Sequence, residues 1–181
     1  MNDTNDGMTE ISMPEPLDLS RLDLDGLMRR AIALAVSARS KGNHPFGALL
    51  CDSEGRIVLE AENTVGGDND VTRHAELNLM SMASRTFSPA DLGRLVMVTS
   101  TEPCPMCAGA TFWTGVRSVV FGLREKLLCE MCTSEDDPEP PVLDLPCVEV
   151  FAASVGHPTQ VIGPVLEDEA RVPHEGFWQA G

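Results

Sequence analysis

The sequence predicts an α/β fold: a three-layer α/β/α sandwich built on a central mixed sheet of about five strands. Two observations carry that expectation. Stretches with helical spacing alternate with short apolar runs through the middle of the chain. The first two apolar runs are joined by a tight polar turn, whereas the later ones are separated by helices, so antiparallel pairing comes early and parallel pairing late.

Met1 to Leu22, rich in Asp, Asn, Glu and Ser with two prolines, reads as a flexible or loosely docked arm, leaving 23–181 as one domain. Leu24, Leu27, Met28, Ala31, Leu34, Ala35 and Ala38 fall on one helical face, and Gly42 stops that helix. Phe46–Cys51 and Ile57–Ala61 read as strands of a hairpin turned by Asp52–Gly55. Asn63–Asp70 is a loop, and His74–Arg85 a second helix. Leu95–Val98 is a buried strand, Cys104 to Thr114 a third helix, and Ser118–Gly122 another buried strand. Beyond Arg124 the pattern weakens. Glu135–Pro141 is an acidic, proline-rich loop, Val148–Phe151 reads as a last strand, and Pro164–Ala170 as a short helix opened by proline at the head of a C-terminal tail, 164–181.

The 181 residues suffice for a sizeable single core. A formal net charge of −15 disfavours nucleic acid, whose partners carry a basic footprint. No apolar run is long enough to span a membrane, and no basic–apolar leader opens the chain, so the six cysteines are expected reduced in a cytoplasmic protein.

Chemistry concentrates in His74-Ala75-Glu76 and Pro103-Cys104-Pro105-Met106-Cys107. One histidine and two cysteines give a zinc ion three protein ligands, which is the number a catalytic zinc takes when it keeps a position open. Glu76, two residues past the histidine, can take a proton from water activated there and pass it to a leaving group. Each ligand set opens a helix, where the N-terminal dipole favours thiolates. One zinc per chain is expected, on His74, Cys104 and Cys107. Cys129-Glu130-Met131-Cys132 is a second C-x-x-C; partly buried thiols and a structural zinc, joined by Cys51 or Cys147, are both open readings.

At these motifs the sequence resembles the cytidine and deoxycytidylate deaminase superfamily, whose zinc enzymes carry H-x-E…P-C-x-x-C. The likeness runs from about Leu24 to Phe121 and includes Pro45-Phe46-Gly47-Ala48, Asn63 and Thr101-Glu102-Pro103. It is nearest to the branch of guanine, nucleoside and tRNA adenosine deaminases. It implies a fold of five strands between helices, assembled as a homodimer, and hydrolytic removal of an exocyclic amino group from a small aminoheterocycle. A free purine base such as guanine is preferred; nucleosides, cytosine, tRNA adenosine and a non-catalytic zinc module are alternatives.

By the same resemblance, Asn63 hydrogen-bonds the substrate ring, and backbone N–H groups near Ala75 and Cys104 hold the reacting centre. Trp113 stands where guanine deaminases carry a stacking aromatic, and Phe46 matches a second; core packing is the alternative for both. An acidic residue used after the strand ending near Gly122 carries over to Glu135, beside Asp136 and Asp137. The tail aromatics Phe177 and Trp178 would close over an active site, their own or a partner's.

Overall fold

The computed structural model describes residues 17–133 and 143–178, so residues 1–16 and Glu135 lie outside the described residues. The first described segment is a 3-10 turn, Leu19–Arg21, capped by the Asp18 carboxylate. Leu19 is buried, with Leu17 and Leu22 packed beside it, so the end of the expected arm is docked on the domain rather than loose.

Helix α1, Leu24–Ser40, starts where the Asp23 carboxylate accepts the Gly26 N–H at 2.9 Å. It stops in a Schellman motif. Gly42 takes φ +81°, its N–H meets the Arg39 carbonyl at 3.0 Å, and Asn43 N–H meets the Ala38 carbonyl at 3.0 Å. The hairpin follows, β1 Gly47–Cys51 and β2 Ile57–Glu62. Asp52 turns it by accepting the N–H groups of Glu54 and Arg56. A one-turn helix, α2 Val65–Asp68, lies inside the expected loop. Then come α3 Ala75–Thr86, the short α4 Pro89–Leu92, β3 Val96–Thr101, α5 Pro105–Thr114 and β4 Ser118–Leu123.

Past β4 the expectations need correction. Glu125–Cys132 forms helix α6, which the sequence pattern did not announce. Val148–Phe151 is not a strand but part of helix α7, Cys147–Ala152. The fifth strand is β5, Gln160–Ile162. The short helix predicted from Pro164 begins later, as α8 Glu167–Arg171, followed by a 3-10 turn, Val172–His174. Four alternating residues can satisfy either period; here the start of α7 is set by Glu102, whose carboxylate accepts the Cys147 N–H at 3.0 Å.

The five strands form one mixed sheet in the order β2-β1-β3-β4-β5. β1 is antiparallel to both β2 and β3, while β3, β4 and β5 are mutually parallel. Alternation splits the sheet's side chains between two cores. Ala48, Leu50, Met97, Val119 and Phe121 face a layer containing Leu79 and Ala83 of α3, Ala108 of α5 and Phe151 of α7. Leu49, Cys51, Val96, Val98 and Val120 face α1 through Leu27, Met28, Ala31 and Leu34. This is the three-layer sandwich that the sequence predicted. Truncating a fully buried member such as Leu49 to alanine costs about 2–5 kcal/mol. Gly47 lets β1 lie directly on α1: a Cβ there would sit 2.5 Å from the Ala31 carbonyl oxygen and 2.6 Å from Ala35 N.

This topology decides where chemistry can collect. Because β1 runs against β3, the start of β1, the end of β2 and the C-terminal end of β3 share one edge. Phe46, Asn63 and the Glu102–Cys107 segment meet there.

Candidate active site

His74 is the N-cap residue of α3 and Cys104 the N-cap residue of α5, both extended in backbone, with Cys107 in the first turn of α5. The two helices therefore aim their N-termini at one spot, as expected for a place that gathers negative charge. His74 Nδ1 lies 3.7 Å from Cys104 Sγ and 3.5 Å from Cys107 Sγ. A tetrahedral zinc, with bonds of about 2.3 Å to sulfur and 2.0–2.1 Å to nitrogen, sets sulfur–nitrogen edges of roughly 3.6 Å. The donor set thus fits zinc in kind and in spacing, and it is the one His/Cys/Asp/Glu group of three among the described residues close enough to hold an ion.

A hydrogen bond from Cys107, helped by His74, draws the Cys104 thiol down to about 4, while the same bond and burial push Cys107 well above the usual thiol range. The pair supports one thiolate; a divalent cation would hold both. The hydrogen bond with Cys104 also raises His74.

Glu76 reaches the cluster from the first turn of α3 and is 4% exposed. One carboxylate oxygen accepts the Thr99 hydroxyl at 3.2 Å, and the other is 3.7 Å from Cys107 Sγ. Burial holds its pKa above the ordinary carboxylate value. Ala75, fully buried, is the first residue of α3, so its N–H is among those with no intrahelical acceptor.

Asn63 is fully buried at the end of β2. Its N–H meets the Phe46 carbonyl at 3.0 Å, and its side-chain oxygen accepts the Val65 N–H at 3.0 Å. That contact fixes the amide, and Nδ2 has no partner among the described residues. Asn78 braces the loop by donating to the Glu62 carbonyl and the Thr64 hydroxyl.

Phe46 stacks on His74, centroids 6.3 Å apart at 13°. The tail lies against Phe46 from the far side. Trp178 is 6.0 Å from Phe46 and 5.3 Å from His44, and Phe177 is 5.9 Å from His44. Arg39 ties this tail down by donating to the carbonyls of Pro173 and Glu175 at 2.7 and 2.9 Å, and its guanidinium sits 5.7 Å from the Phe177 centroid. Trp178 thus touches the ring that stacks on His74, and Phe177 packs behind it on His44 and Trp178.

Trp113 lies apart from these groups. It is 85% exposed on α5, packed edge-on to Phe112, beside an apolar groove of about 460 Å³ lined by Leu77, Met80, Phe87 and Leu92. Cys107 and Thr111 occupy the buried face of α5, which leaves Trp113 on the outer one. The second C-x-x-C is also resolved. Cys129 and Cys132 lie half-buried on α6, while Cys51 and Cys147 are buried in separate cores, so no second cluster forms among the described residues.

Three groups went unread in the sequence. Glu125 opens α6; burial and the charges of Cys104, Glu76 and Glu102 raise its pKa to about 7. His174 is 1% exposed, packed on Phe46 and stacked on Trp178, with Nε2 3.4 Å from the Thr101 hydroxyl. His44 is half-buried beside the tail, its pKa lowered by burial and by His74. None belongs to a recognisable spacing, because each arrives through tertiary packing.

The zinc-binding region of cytidine and deoxycytidylate deaminases matches residues 23–123. The chain belongs to that family. A fission yeast (Schizosaccharomyces pombe) protein named as a probable cytosine deaminase is 40% identical over 164 residues, 91% of this chain and 97% of the relative. Guanine deaminase of Bacillus subtilis is 36% identical over 95 residues, 52% of this chain and 60% of that protein. The fold matches Nitrosomonas europaea guanine deaminase with a TM-score of 0.71 over 99% of both chains at 23% identity. A mutant of NE0047 in complex with 8-azaguanine matches with a TM-score of 0.68 at 26% identity, over 83% of this chain and 81% of that one.

Proposed function

We propose that this deaminase-family protein is a zinc-dependent aminohydrolase that removes the exocyclic amino group of a free heterocyclic base, releasing ammonia. The observation that carries the reading is the pairing of an open three-ligand set, His74, Cys104 and Cys107, with a buried carboxylate, Glu76, against one of its sulfurs. A purely structural metal site has no use for that carboxylate.

A zinc ion held by the three ligands would act as a Lewis acid and make water nucleophilic near neutral pH. The chain's own groups do the rest. Glu76, held by Thr99, takes the proton of the attacking water and delivers protons to the ring nitrogen and the departing amine. The Ala75 and Cys104 N–H groups, at two helix starts, steady the negative charge that develops. Asn63 Nδ2 donates to an acceptor on the ring edge. Phe46 and the tail aromatics form the flat, dry wall along which a planar base slides.

A purine such as guanine is the first reading, supported by the guanine deaminases of the same fold and the 8-azaguanine complex. Cytosine is the second, favoured by the fission yeast relative, whose likeness covers 91% of this chain. The same proposal places the protein in the cytoplasm as a homodimer. Ammonia release from guanine, cytosine, adenine, guanosine, cytidine and a tRNA anticodon stem-loop tests the proposal. Turnover of one free base is expected; turnover of the stem-loop alone would overturn it.

A further inference from the structure

The Asn63 amide has a donor to spare. The residue is fully buried, its Oδ1 accepts the Val65 N–H at 3.0 Å, and Nδ2 has no partner among the described residues. That local ring is an Asx turn, which fixes the amide relative to its own backbone. It does not fix that backbone relative to the metal ligands. β2 ends at Glu62 and is an edge strand, paired in the sheet with β1 alone. The Asn63 N–H extends this pairing by one bond, to the Phe46 carbonyl at 3.0 Å.

Helix α3 supplies the other hold. Asn78 stands one turn into α3, and its N–H meets the His74 carbonyl at 2.9 Å, with Glu76 in the same turn. Its side-chain Nδ2 donates to the Glu62 carbonyl at 2.9 Å and to the Thr64 hydroxyl at 3.0 Å, and lies 3.5 Å from the Arg73 carbonyl. Glu62 and Thr64 flank Asn63 in the chain, so both hydrogens of one amide are spent on bracketing it. The Thr64 N–H adds a tie to the Arg73 carbonyl at 3.0 Å, immediately before His74. The far end of the turn is held elsewhere, by the Gly67 N–H on Asn43 Oδ1 at 2.8 Å.

We infer that Asn78 is a positioning residue for substrate: by holding Glu62 and Thr64 to the first turn of α3, it fixes the Asn63 amide relative to His74 and Glu76, so that Nδ2 meets the ring edge of the bound base. The inference rests on the proposed deaminase reading and adds a residue that acts through another. A site that grips a base at one edge and attacks it at a different carbon must keep those two places at a set separation; an error of about 1 Å can cost about a hundredfold in rate. Here the separation is spanned by one side chain. The metal ligands do not depend on it.

A double-mutant cycle on base binding tests it. The background is zinc-loaded Glu76→Gln protein, which binds without consuming the base, and titration calorimetry measures Kd for whichever free base the parent turns over. Asn63→Ala and Asn78→Ala are each expected to weaken binding about tenfold at unchanged zinc content, and the double variant no more than Asn63→Ala alone, because both remove the same contact. With Glu76 intact, kcat/KM should fall in the same non-multiplying pattern. A brace of stability alone would lower Tm and leave Kd where it was. If Asn78→Ala does not fold, Asn78→Ser, whose hydroxyl stops one bond short of the amide nitrogen, takes its place. Unchanged Kd in the Asn78 variant, or losses that multiply in the double variant, would overturn the inference while leaving a parent that turns over base as a deaminase. A parent that neither binds nor converts any free base would overturn both.

Discussion

Thr99 on β3 donates its hydroxyl to Glu76 on α3 across 3.2 Å, so the carboxylate nearest the metal ligands is steered by the sheet and not by its own helix. The other Glu76 oxygen is thereby left beside Cys107 Sγ. In the proposed reaction this group exchanges protons several times per turnover, and a hydroxyl partner can follow it through those changes.

Glu76→Gln should therefore keep the fold and zinc content and lose about 10²–10⁴-fold in kcat. Thr99→Val keeps the carboxylate but frees it, and should cost about tenfold, the scale of one hydrogen bond to a charged group. Turnover and metal content measured on the same preparations decide this. A Thr99→Val loss as large as that of Glu76→Gln would mean that the hydroxyl does more than orient.

Metal removal should be visible in stability as well as activity. A ligand at about a thousand times its Kd adds about 4 kcal/mol, or roughly 10 °C in a domain of this size. Chelation should lower Tm by that order and abolish turnover, and zinc should restore both. Cys104→Ala should behave as the chelated protein does and gain nothing from added zinc.

His174 predicts an acid-side loss of stability. Burial lowers its pKa to about 4, against about 6.5 for the unfolded chain. Between those values the unfolded state binds the extra proton, so this contribution is complete above pH 6.5 and lost as pH falls toward 4, about 3 kcal/mol in all. Urea unfolding of the parent and of His174→Gln across pH 4–7.5 should show their difference shrinking on acidification. Parallel curves would show that the imidazole titrates as freely folded as unfolded.

Truncation before His174 should raise KM and slow turnover with zinc content and oligomeric state unchanged, since Trp178 packs on Phe46 and Phe177 on His44 and Trp178. Arg39→Ala, which removes the donor to Pro173 and Glu175, should do the same more mildly. Steady-state kinetics with light scattering checks both, and dissociation into monomers would make the tail an interface element instead.

Much of the fold was legible because its signals are local. Asp23 and Gly42 delimit α1, Asp52 turns the hairpin, and the two ligand motifs each open a helix. What the sequence hid depends on partners far away in the chain. Cys147 begins a helix because Glu102 accepts its N–H, overriding an alternation that reads as strand over Val148–Phe151. The three-residue β5 is too short to show a period. In the site, spacing announced His74, Glu76, Cys104 and Cys107, while Glu125, His174 and His44 arrive by packing alone. Trp113 lies on the exposed face of α5, opposite the buried Cys107 and Thr111.

The antiparallel entry of β1 gives the molecule two poles. Cys51 pairs with Val96 at the beginning of β3, so the Asp52–Gly55 turn sits at the end of the sheet away from the metal ligands, with Ser53 and Glu54 exposed. That turn is the natural place to tether the protein to a surface or to splice in a reporter. Lengthening a surface loop costs only about 0.6 kcal/mol per doubling, and an anchor there would leave the entrance for small molecules facing the liquid.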